Sequence, residues 1–281
     1  MTQTPTLSIE FFPPRTPEVQ ARLEECLSAF KPFQPSFYSV TFGAGGSTLA
    51  HTPQTVDFVR KTSHCLVVPH LTGIGSNRAE VQQLLDEYRS KGITKIVALR
   101  GDMPSGMLDP GEFRYASDLV AFLREYLGNN FHITVGAYPE IHPQASSPKE
   151  DLLHFKTKIE AGANDAITQY FFNFEAYEHF LNQVHQMGIK APIYPGIMPI
   201  TNYKQIKRFS DSCGAEIPRW IEKKLAAFDE QDDKESLIEF GVEVVTTLCQ
   251  KLQGLGVPGF HFYSLNRHES LVKIFQNLQW G

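Results

Sequence analysis

Short runs of apolar, β-branched and aromatic residues recur along the chain and are separated by segments with helical spacing. We predict that eight of these runs are strands, because each is six or seven residues long and rich in strand-forming residues. Since they are almost continuously apolar, they are typical of parallel strands that are covered on both faces. The predicted strands are residues 7–12, 37–42, 66–71, 95–100, 132–138, 166–172, 193–198 and 259–265.

The segments between the runs have the periodicity of amphipathic helices. In one of them Val81, Leu84, Leu85 and Tyr88 share a helix face, and Gly92 follows as a helix terminator. The first seven strands start 27 to 37 residues apart, which is enough for one strand, one helix and two loops. The last interval is 66 residues long and therefore contains extra helices.

Eight strand–helix units in 281 residues predict an α/β fold of the (β/α)8 TIM barrel type, with extra helices before the eighth strand. No low-complexity tract or linker divides the sequence, so we predict one domain over residues 1–281. An open doubly wound sheet is the structural alternative. If it bound a dinucleotide, that fold would carry a G-x-G-x-x-G turn after its first strand, whereas the first predicted strand here is followed by Pro13 and Pro14.

The composition limits the kinds of molecule that we expect the protein to bind. A formal charge of −5 predicts no general attraction for nucleic acids or anionic membranes. The four cysteines are far apart and show no zinc-site spacing, which is typical of reduced thiols. With no apolar window of membrane-spanning length and no leader pattern, the sequence predicts a cytoplasmic protein with no membrane partner.

In a barrel of this type the chemistry takes place at the C-terminal ends of the strands. Polar side chains gather at those positions of the sequence, which favours a functional site there over independent structural accidents. They are Glu10, Thr41, His70, Arg100, Asp102, Tyr138, Glu140, His142, Gln169, Tyr263, Asn266 and Arg267.

Each of these residues also has a structural interpretation. Glu10 could form a buried ion pair with a barrel arginine such as Arg100, and His70 could hydrogen-bond a neighbouring carbonyl group. Gln169 could be a satisfied core amide. The glycine-rich turn at 39–48 could bind phosphate, but it has no G-K-[ST] ending, so close packing against a flat ligand is favoured.

Several chemistries are disfavoured by the residues present. Glu140 and His142 lack a second pair of ligands at another strand end, so we predict no metal site. Lys95 begins its predicted strand, which is the wrong end of the barrel for a Schiff base. What remains is general acid–base chemistry by Glu10 on an organic cofactor or substrate.

Ten motifs, in order along the chain, resemble those of the methylenetetrahydrofolate reductase family. The sequence is similar to the short catalytic form of that family, without the C-terminal regulatory domain of longer members. The motifs are EFFPP (10–14), VTFGAGGST (40–48), PHLT (69–72), ALRGD (98–102), YASDL (115–119), AYPEIHP (137–143), DLLHFKTKIEAGAN (151–164), AITQYFF (166–172), PGIMP (195–199) and FHFYSLNR (260–267).

The resemblance implies a barrel enzyme with tightly bound, non-covalent FAD that reduces 5,10-methylenetetrahydrofolate to 5-methyltetrahydrofolate. NADH or NADPH would donate the hydride, and the nicotinamide and the folate would use the flavin in turn, which gives ping-pong kinetics. The family commonly assembles, so a homodimer or homotetramer is implied.

Residue roles follow from the same resemblance. Glu10 is implied as the general acid that protonates the bridging amine nitrogen, so that the folate ring opens to an iminium that accepts hydride from the reduced flavin. Asp102 is implied to lie near flavin and pterin, and Gln169 to contact pterin and nicotinamide in turn. Further substrate contacts are Thr41, Gln205, Tyr263 and Arg267. The implied FAD contacts are Thr41, Phe42, His70, Arg100, Gly101, Asp102, Tyr115, Ala116, Tyr138, His142, Ala145, Asp151, His154, Thr157 and Lys158.

An acid that works at neutral pH must keep its proton. Burial favours the protonated form of a carboxyl group, and the sequence offers Ile9, Phe11 and Phe12 as apolar neighbours of Glu10. Two other functions stay open: a different flavin-dependent barrel, similar to proline dehydrogenase, and a folate- or pterin-binding barrel without redox activity. FAD uptake and its reduction by a nicotinamide would separate the three.

Overall fold

Parallel strands alternate with helices along the chain. The computed structural model describes residues 5–42, 51–103 and 109–280. The strands are β1 (Thr6–Phe11), β2 (Phe37–Val40), β3 (Val67–Thr72), β4 (Lys95–Leu99), β5 (His132–Ala137), β6 (Asp165–Thr168), β7 (Ile193–Tyr194), β8 (Gly196–Ile197) and β9 (Gly259–Tyr263). The helices are α1 (Pro17–Phe30), α2 (His51–Ser63), α3 (Arg78–Ser90), α4 (Ala116–Leu127), α5 (Pro148–Glu160), α6 (Phe174–Gln186), α7 (Tyr203–Cys213), α8 (Arg219–Glu230), α9 (Lys234–Leu255) and α10 (Glu269–Asn277).

The strands form one nearly closed parallel barrel. Within the described residues their order is β7-β6-β5-β4-β3-β2-β1-β9-β8. Strands β7 and β8 both come from the run predicted as one strand at 193–198, and they pair with β6 and β9 respectively. The TIM barrel prediction is confirmed, with α7, α8 and α9 as the extra helices before the last strand.

Two predicted strands differ from the observed ones for local reasons. The seventh is interrupted at Pro195, which has no N–H to donate to a ladder, although its carbonyl accepts from His261 N at 3.0 Å. The sixth was predicted over 166–172, but β6 ends at Thr168. Gln169 therefore lies just beyond the strand, where its N–H still donates to Ala137 O at 2.8 Å.

Successive side chains along each strand point alternately out of and into the barrel, and this separates two apolar regions. On β1 the outward residues Ile9 and Phe11 are fully buried, and the Phe11 ring lies 6.3 Å from that of Phe30 in α1. The outward faces thus form the main core between barrel and helices. A second, small cluster fills the barrel interior and contains Val68 and Val97, together with Ile167.

A buried ionic network closes the N-terminal end of the barrel. Asp165 Oδ2 lies 2.7 Å from His132 Nε2 and 3.4 Å from Lys95 Nζ, while Thr134 donates its hydroxyl to Asp165 Oδ1. Lys95 also lies over the Phe37 ring, 4.5 Å from its centroid. The lysine is therefore a structural cation at the end opposite to the strand C-termini, as its sequence position predicted.

At the other end, Asn266 holds the chain where β1 ends. Its Oδ1 accepts from Phe12 N at 3.0 Å, and its Nδ2 donates to Phe12 O at 2.9 Å. Asn266 is 2% exposed and has a φ of 52°, a left-handed conformation that asparagine tolerates better than most residues. The Asn266 side chain thus supplies hydrogen bonds to β1 beyond the last residue pair of the β1–β9 ladder.

We expect Asn266→Ala to lower the free energy of unfolding by about 2–3 kcal/mol, since it removes both hydrogen bonds and strains the backbone. The urea midpoint measures this loss. Asn277→Ala, at an exposed helix end, is the matched control and should change stability by less than about 0.5 kcal/mol. Equal urea midpoints for the two variants would contradict the proposed role of Asn266 in holding the end of β1.

Candidate active site

Glu10 lies at the centre of a buried polar group at the C-terminal end of the barrel. It points into the barrel, where its register neighbours are Ser39 on β2 and Tyr263 on β9. Glu10 Oε2 lies 3.5 Å from His70 Nε2 and 3.6 Å from His261 Nε2. The Glu10 side chain is 17% exposed, so it can reach both the protein interior and a ligand above it.

The immediate surroundings of Glu10 differ from two sequence-based interpretations. Ile9 and Phe11 face the helices on the other side of the strand, so the burial of Glu10 comes from residues of other strands. The proposed ion pair with Arg100 is wrong: Arg100 donates to Gln144 Oε1 and to Gly101 O. The carboxylate instead faces two imidazole rings.

His70 is a neutral partner of Glu10. Burial lowers the pKa of His70 to about 4, although the nearby Glu10 carboxylate acts in the opposite direction. Among the described residues its Nε2 has no hydrogen-bond partner. Ser39 Oγ is also buried without a partner in the same part of the structure.

His261 is connected to Ser8, a residue that the sequence did not single out. Ser8 Oγ donates to Phe260 O at 3.1 Å and lies 2.8 Å from His261 Nδ1. This contact holds the His261 ring so that its other nitrogen, Nε2, faces Glu10. The alternation of side chains along a strand could have identified both residues. Ser8 lies two residues before Glu10 and His261 two residues before Tyr263, so each faces the barrel interior like those site residues.

Tyr263 supports this group without being free to act as an acid. Its hydroxyl donates to Thr168 O at 2.7 Å, and burial together with Glu10 raises its pKa well above the ordinary value. Gly196 makes this contact possible, because a Cβ there would lie 2.0 Å from Thr168 O and 2.7 Å from the Tyr263 ring. Tyr263 therefore ties β9 to β6 beside the site.

A second group, with three basic side chains, lies after β4 and β5. The Tyr138 and His142 rings meet edge to face at 4.5 Å, and His142 N donates to Asp151 Oδ2 at 2.9 Å. Burial lowers the pKa of His142, and the charges of Arg100 and Lys158 act in the same direction, while Asp151 opposes them. The structure thus brings together five predicted FAD contacts.

Lys158 is the most perturbed cation of that group. Burial lowers its pKa to about 8, even though Asp151 raises it. Its Nζ donates to Gly136 O and lies 5.8 Å from the centroid of the Tyr138 ring. An anion placed near this amine would therefore stabilise its charged form.

The remaining predicted FAD contacts lie around this group. Tyr115 is 56% exposed and its ring is 6.2 Å from that of His154, while Ala116 begins α4. Gly101 has a φ of 84°, and Ala145 N donates to His142 O. Thr157 is exposed and its hydroxyl donates to Leu153 O within α5, and Asp102 is exposed after β4.

Only residues 39–42 of the turn predicted at 39–48 lie within the described residues. Thr41 N donates to Phe11 O at 2.9 Å, Thr41 O accepts from Thr52, and Phe42 packs against the core. Residues 43–48, which contain the glycines, lie outside the described residues, and the choice between phosphate binding and close packing stays a prediction.

Two predicted folate contacts lie apart from Glu10. Gln205 and Arg267 line an open cavity of about 650 Å³ between α7, α8 and α9. Gln169 Oε1 accepts from Tyr170 N at 3.0 Å.

The described ranges contain no group of three or more His, Cys, Asp or Glu side chains arranged to hold a metal ion. Glu140 instead accepts from Glu216 N at 2.8 Å, and burial raises its pKa to about 7. No helix in the described part of the chain is long and apolar enough to cross a membrane.

The chain is similar to proteins named methylenetetrahydrofolate reductase. A family model described as methylenetetrahydrofolate reductase matches residues 1–279. The Salmonella typhimurium protein named 5,10-methylenetetrahydrofolate reductase is 39% identical over 272 residues, which cover 97% of this chain and 90% of that protein. The Arabidopsis thaliana protein named methylenetetrahydrofolate reductase (NADH) 1 is 34% identical, and the match covers 96% of this chain and 48% of the plant protein.

Among solved structures, an uncharacterized protein from Clostridium thermocellum is similar in fold. The TM-score is 0.67 with 15% identity, and the match covers 98% of this chain and 95% of the other. That protein is described as binding two copies of 5-methyl-5,6,7,8-tetrahydrofolic acid. At this identity the likeness supports the barrel fold alone.

Proposed function

Because this chain belongs to the methylenetetrahydrofolate reductase family, we propose that it reduces 5,10-methylenetetrahydrofolate through bound FAD, with NADH or NADPH as hydride donor. The observation that carries this proposal is the Glu10 carboxyl group between two buried imidazoles at the catalytic end of the barrel. A carboxyl group in that position is suited to deliver one proton to a substrate nitrogen.

The residues present suit FAD. Arg100 and Lys158 are cations for the diphosphate, and the exposed Tyr115 ring beside His154 offers a surface for an adenine. The glycine at 101 keeps the backbone accessible next to β4, in a left-handed conformation that disfavours other residues. When bound, the flavin supplies the redox chemistry by which hydride passes from the nicotinamide to the folate.

Glu10 then has one task, which is to hold and release a proton. Its proton goes to the bridging amine nitrogen of the folate, the C–N bond of the five-membered ring breaks, and the resulting iminium carbon accepts hydride to become the methyl group. His70 stays neutral beside the carboxyl group, and His261 is oriented by Ser8. The Nε2 atoms of the two imidazoles lie 3.5 Å and 3.6 Å from Glu10 Oε2 and border the space in which the carboxyl group acts.

The other predicted contacts complete the pocket around this step. We propose that Gln169 binds the pterin and, in its turn, the nicotinamide, and that Thr41 lies against the flavin ring. Asp102, exposed after β4, is proposed to bind the pterin.

Anaerobic spectroscopy tests the proposal. The purified protein should carry FAD, NADH or NADPH should bleach it, and methylenetetrahydrofolate should restore the yellow oxidised form. A flavin that is reduced but is reoxidised by another substrate and not by the folate would favour the proline dehydrogenase-like alternative. A colourless protein that binds folate but no FAD would favour a carrier.

We expect FAD affinity to fall as the pH rises through about 8. In the FAD-free protein Lys158 is charged below its lowered pKa and neutral above it. The FAD diphosphate favours the charged form. Above that pKa the binding of FAD must therefore be accompanied by the uptake of a proton, which weakens it. The loss should approach about tenfold per pH unit above that point. Fluorescence titration of the FAD-free protein between about pH 7 and 9.5 measures it.

Two variants make this pH dependence specific. Lys158→Met should bind FAD more weakly at pH 7 and with a flat profile over the same range. Lys156→Gln, which removes a partly exposed cation paired with Glu160 on the same helix, should retain the parental profile. A parental slope in Lys158→Met would assign the titration to another group.

A further inference from the structure

We propose that Glu140 is a positioning residue whose carboxyl group joins the loop after β5 to the loop between α7 and α8, and that its charge sets how firmly they are joined. This inference rests on the proposed function and adds to it a dependence of folate binding on pH. The first loop carries His142, a proposed FAD contact, and α7 carries Gln205, a proposed folate contact. Glu140 thus links the cofactor side of the site to the substrate side.

The two loops meet at a hydrogen bond and at a close backbone contact. Glu140 Oε2 accepts from Glu216 N at 2.8 Å. Beside this bond, a Cβ added to Gly214 would lie 3.2 Å from Ile141 O and 3.2 Å from Pro143 Cγ, so the two chain segments touch with no side chain between them. Because Gly214 directly follows α7, this junction holds the C-terminal end of the helix.

A second contact ties the same helix to the end of β6. The hydroxyl groups of Tyr170 and Ser210 lie 2.9 Å apart, and both residues are buried. Tyr170 directly follows Gln169, whose Oε1 accepts from Tyr170 N. At the other end of α7, Gln205 N donates to Asn202 Oδ1. A shift of α7 therefore moves Gln205 along with the helix and reaches Gln169 through Tyr170.

The surroundings of Glu140 disfavour its ionised form. Its second oxygen, Oε1, is buried and has no hydrogen-bond partner among the described residues. Burial raises the pKa of Glu140 to about 7, the charge of Glu216 acts in the same direction, and the bond from Glu216 N opposes both. Tyr170 and Cys213 are the other titratable groups at this junction, and burial raises the pKa of Tyr170. Glu140 therefore changes its charge near neutral pH.

The joined and the separated loops should respond to pH in opposite ways. When the loops are joined, the pKa of Glu140 is about 7, and when they separate the carboxyl group returns to water and to its ordinary lower value. The joined form thus retains a proton that the separated form releases. It is most stable at low pH, loses stability as the pH rises to about 7, and changes no further above that.

The experiment measures equilibrium binding of 5-methyltetrahydrofolate to the FAD-loaded protein between about pH 5.5 and 8. Glu140→Gln keeps an oxygen that accepts from Glu216 N but carries no charge at any pH. The ratio of the parental to the Glu140→Gln dissociation constant removes the titration of all other groups. We expect this ratio to be near 1 at pH 5.5 and to rise to about three to ten above pH 7, so that the variant binds more tightly than the parental protein.

Three further variants make the result specific. Glu140→Ala has no acceptor for Glu216 N and should bind the folate more weakly than Glu140→Gln at every pH. Glu178→Gln removes an exposed carboxyl group on α6, and Cys213→Ser removes the thiol near Tyr170, so both should retain the parental profile. An unchanged FAD content shows that each variant is folded.

Three outcomes would overturn the inference: a ratio that does not change with pH, a Glu140→Ala variant that binds as tightly as Glu140→Gln, or a pH dependence that is lost in Cys213→Ser. The last outcome would assign the titration to the thiol. A parental protein that binds no folate at any pH, and whose reduced flavin is not reoxidised by methylenetetrahydrofolate, overturns the proposed function itself and is distinguishable from these three.

Discussion

Glu10→Gln should lose the folate half of the reaction and keep the nicotinamide half. The amide has nearly the shape of the carboxyl group and can face His70 and His261, but it has no acidic proton to give to the substrate nitrogen. General acids contribute about 10²- to 10⁴-fold to a rate, so reoxidation of the reduced flavin by methylenetetrahydrofolate should slow by that factor.

Stopped-flow absorbance of the flavin separates the two halves. Reduction by NADH or NADPH should occur at close to the parental rate in Glu10→Gln, which also shows that the variant is folded and holds FAD. Glu24→Gln, an exposed carboxyl group on α1, is the matched control and should be parental in both halves. If Glu10→Gln reoxidised with the folate at the parental rate, Glu10 would not be the acid.

Asp165→Asn should have the largest effect on stability, at a place far from the chemistry. Its side chain is 4% exposed, and it compensates Lys95 while accepting from His132 and Thr134. Breaking a buried pair costs about 3–5 kcal/mol, and the partial exposure of Lys95 and His132 places our expectation near the lower end, at about 3 kcal/mol. Denaturation midpoints in urea should fall accordingly.

The same network predicts a pH dependence. Burial alone raises the pKa of Asp165, but the bond to His132, the charge of Lys95 and the bond to Thr134 outweigh it and leave the pKa below the ordinary value. The stabilisation is therefore present above the ordinary pKa of an aspartate and is lost as the pH falls through the lowered one. Asp165→Asn should remove this part of the acid sensitivity.

Two further variants distinguish a buried network from a general charge effect. Asp211→Asn, which removes an exposed i,i+4 partner of Lys207, should shift stability by less than about 0.5 kcal/mol. Lys95→Met in the Asp165→Asn background should restore part of the loss, because the uncompensated cation is then gone. No recovery in the double variant would mean that Lys95 is not the group that Asp165 compensates.

Much of the architecture could be predicted from local pattern. The rhythm of apolar runs and helical segments predicted a (β/α)8 barrel, and the extra helices before the last strand are present as α7, α8 and α9. These features were predictable because strand burial, helix periodicity and connection length are properties of short segments. The break at Pro195 was visible in the sequence, but whether both halves would still pair depended on β6 and β9.

The environment of each site residue was less predictable. Alternation places Ile9 and Phe11 on the opposite side of β1 from Glu10, so neighbours in sequence do not surround the carboxyl group. Its real neighbours come from β3 and β9, and the bond between Ser8 and His261 joins residues 253 positions apart. No local pattern contains that pairing, because it depends on the register of β1 against β9.

By itself, the sequence determined the barrel, the end of the barrel where the polar residues gather, and Lys95 at the opposite end. Those depend on the order and periodicity of residues along one chain. Only the tertiary structure decided that Glu10 faces two histidines, that Arg100 bonds Gln144, and that Arg208 and Arg267 line one cavity. These contacts depend on the closure of the sheet into a barrel, because closure brings together strands that are far apart in the sequence.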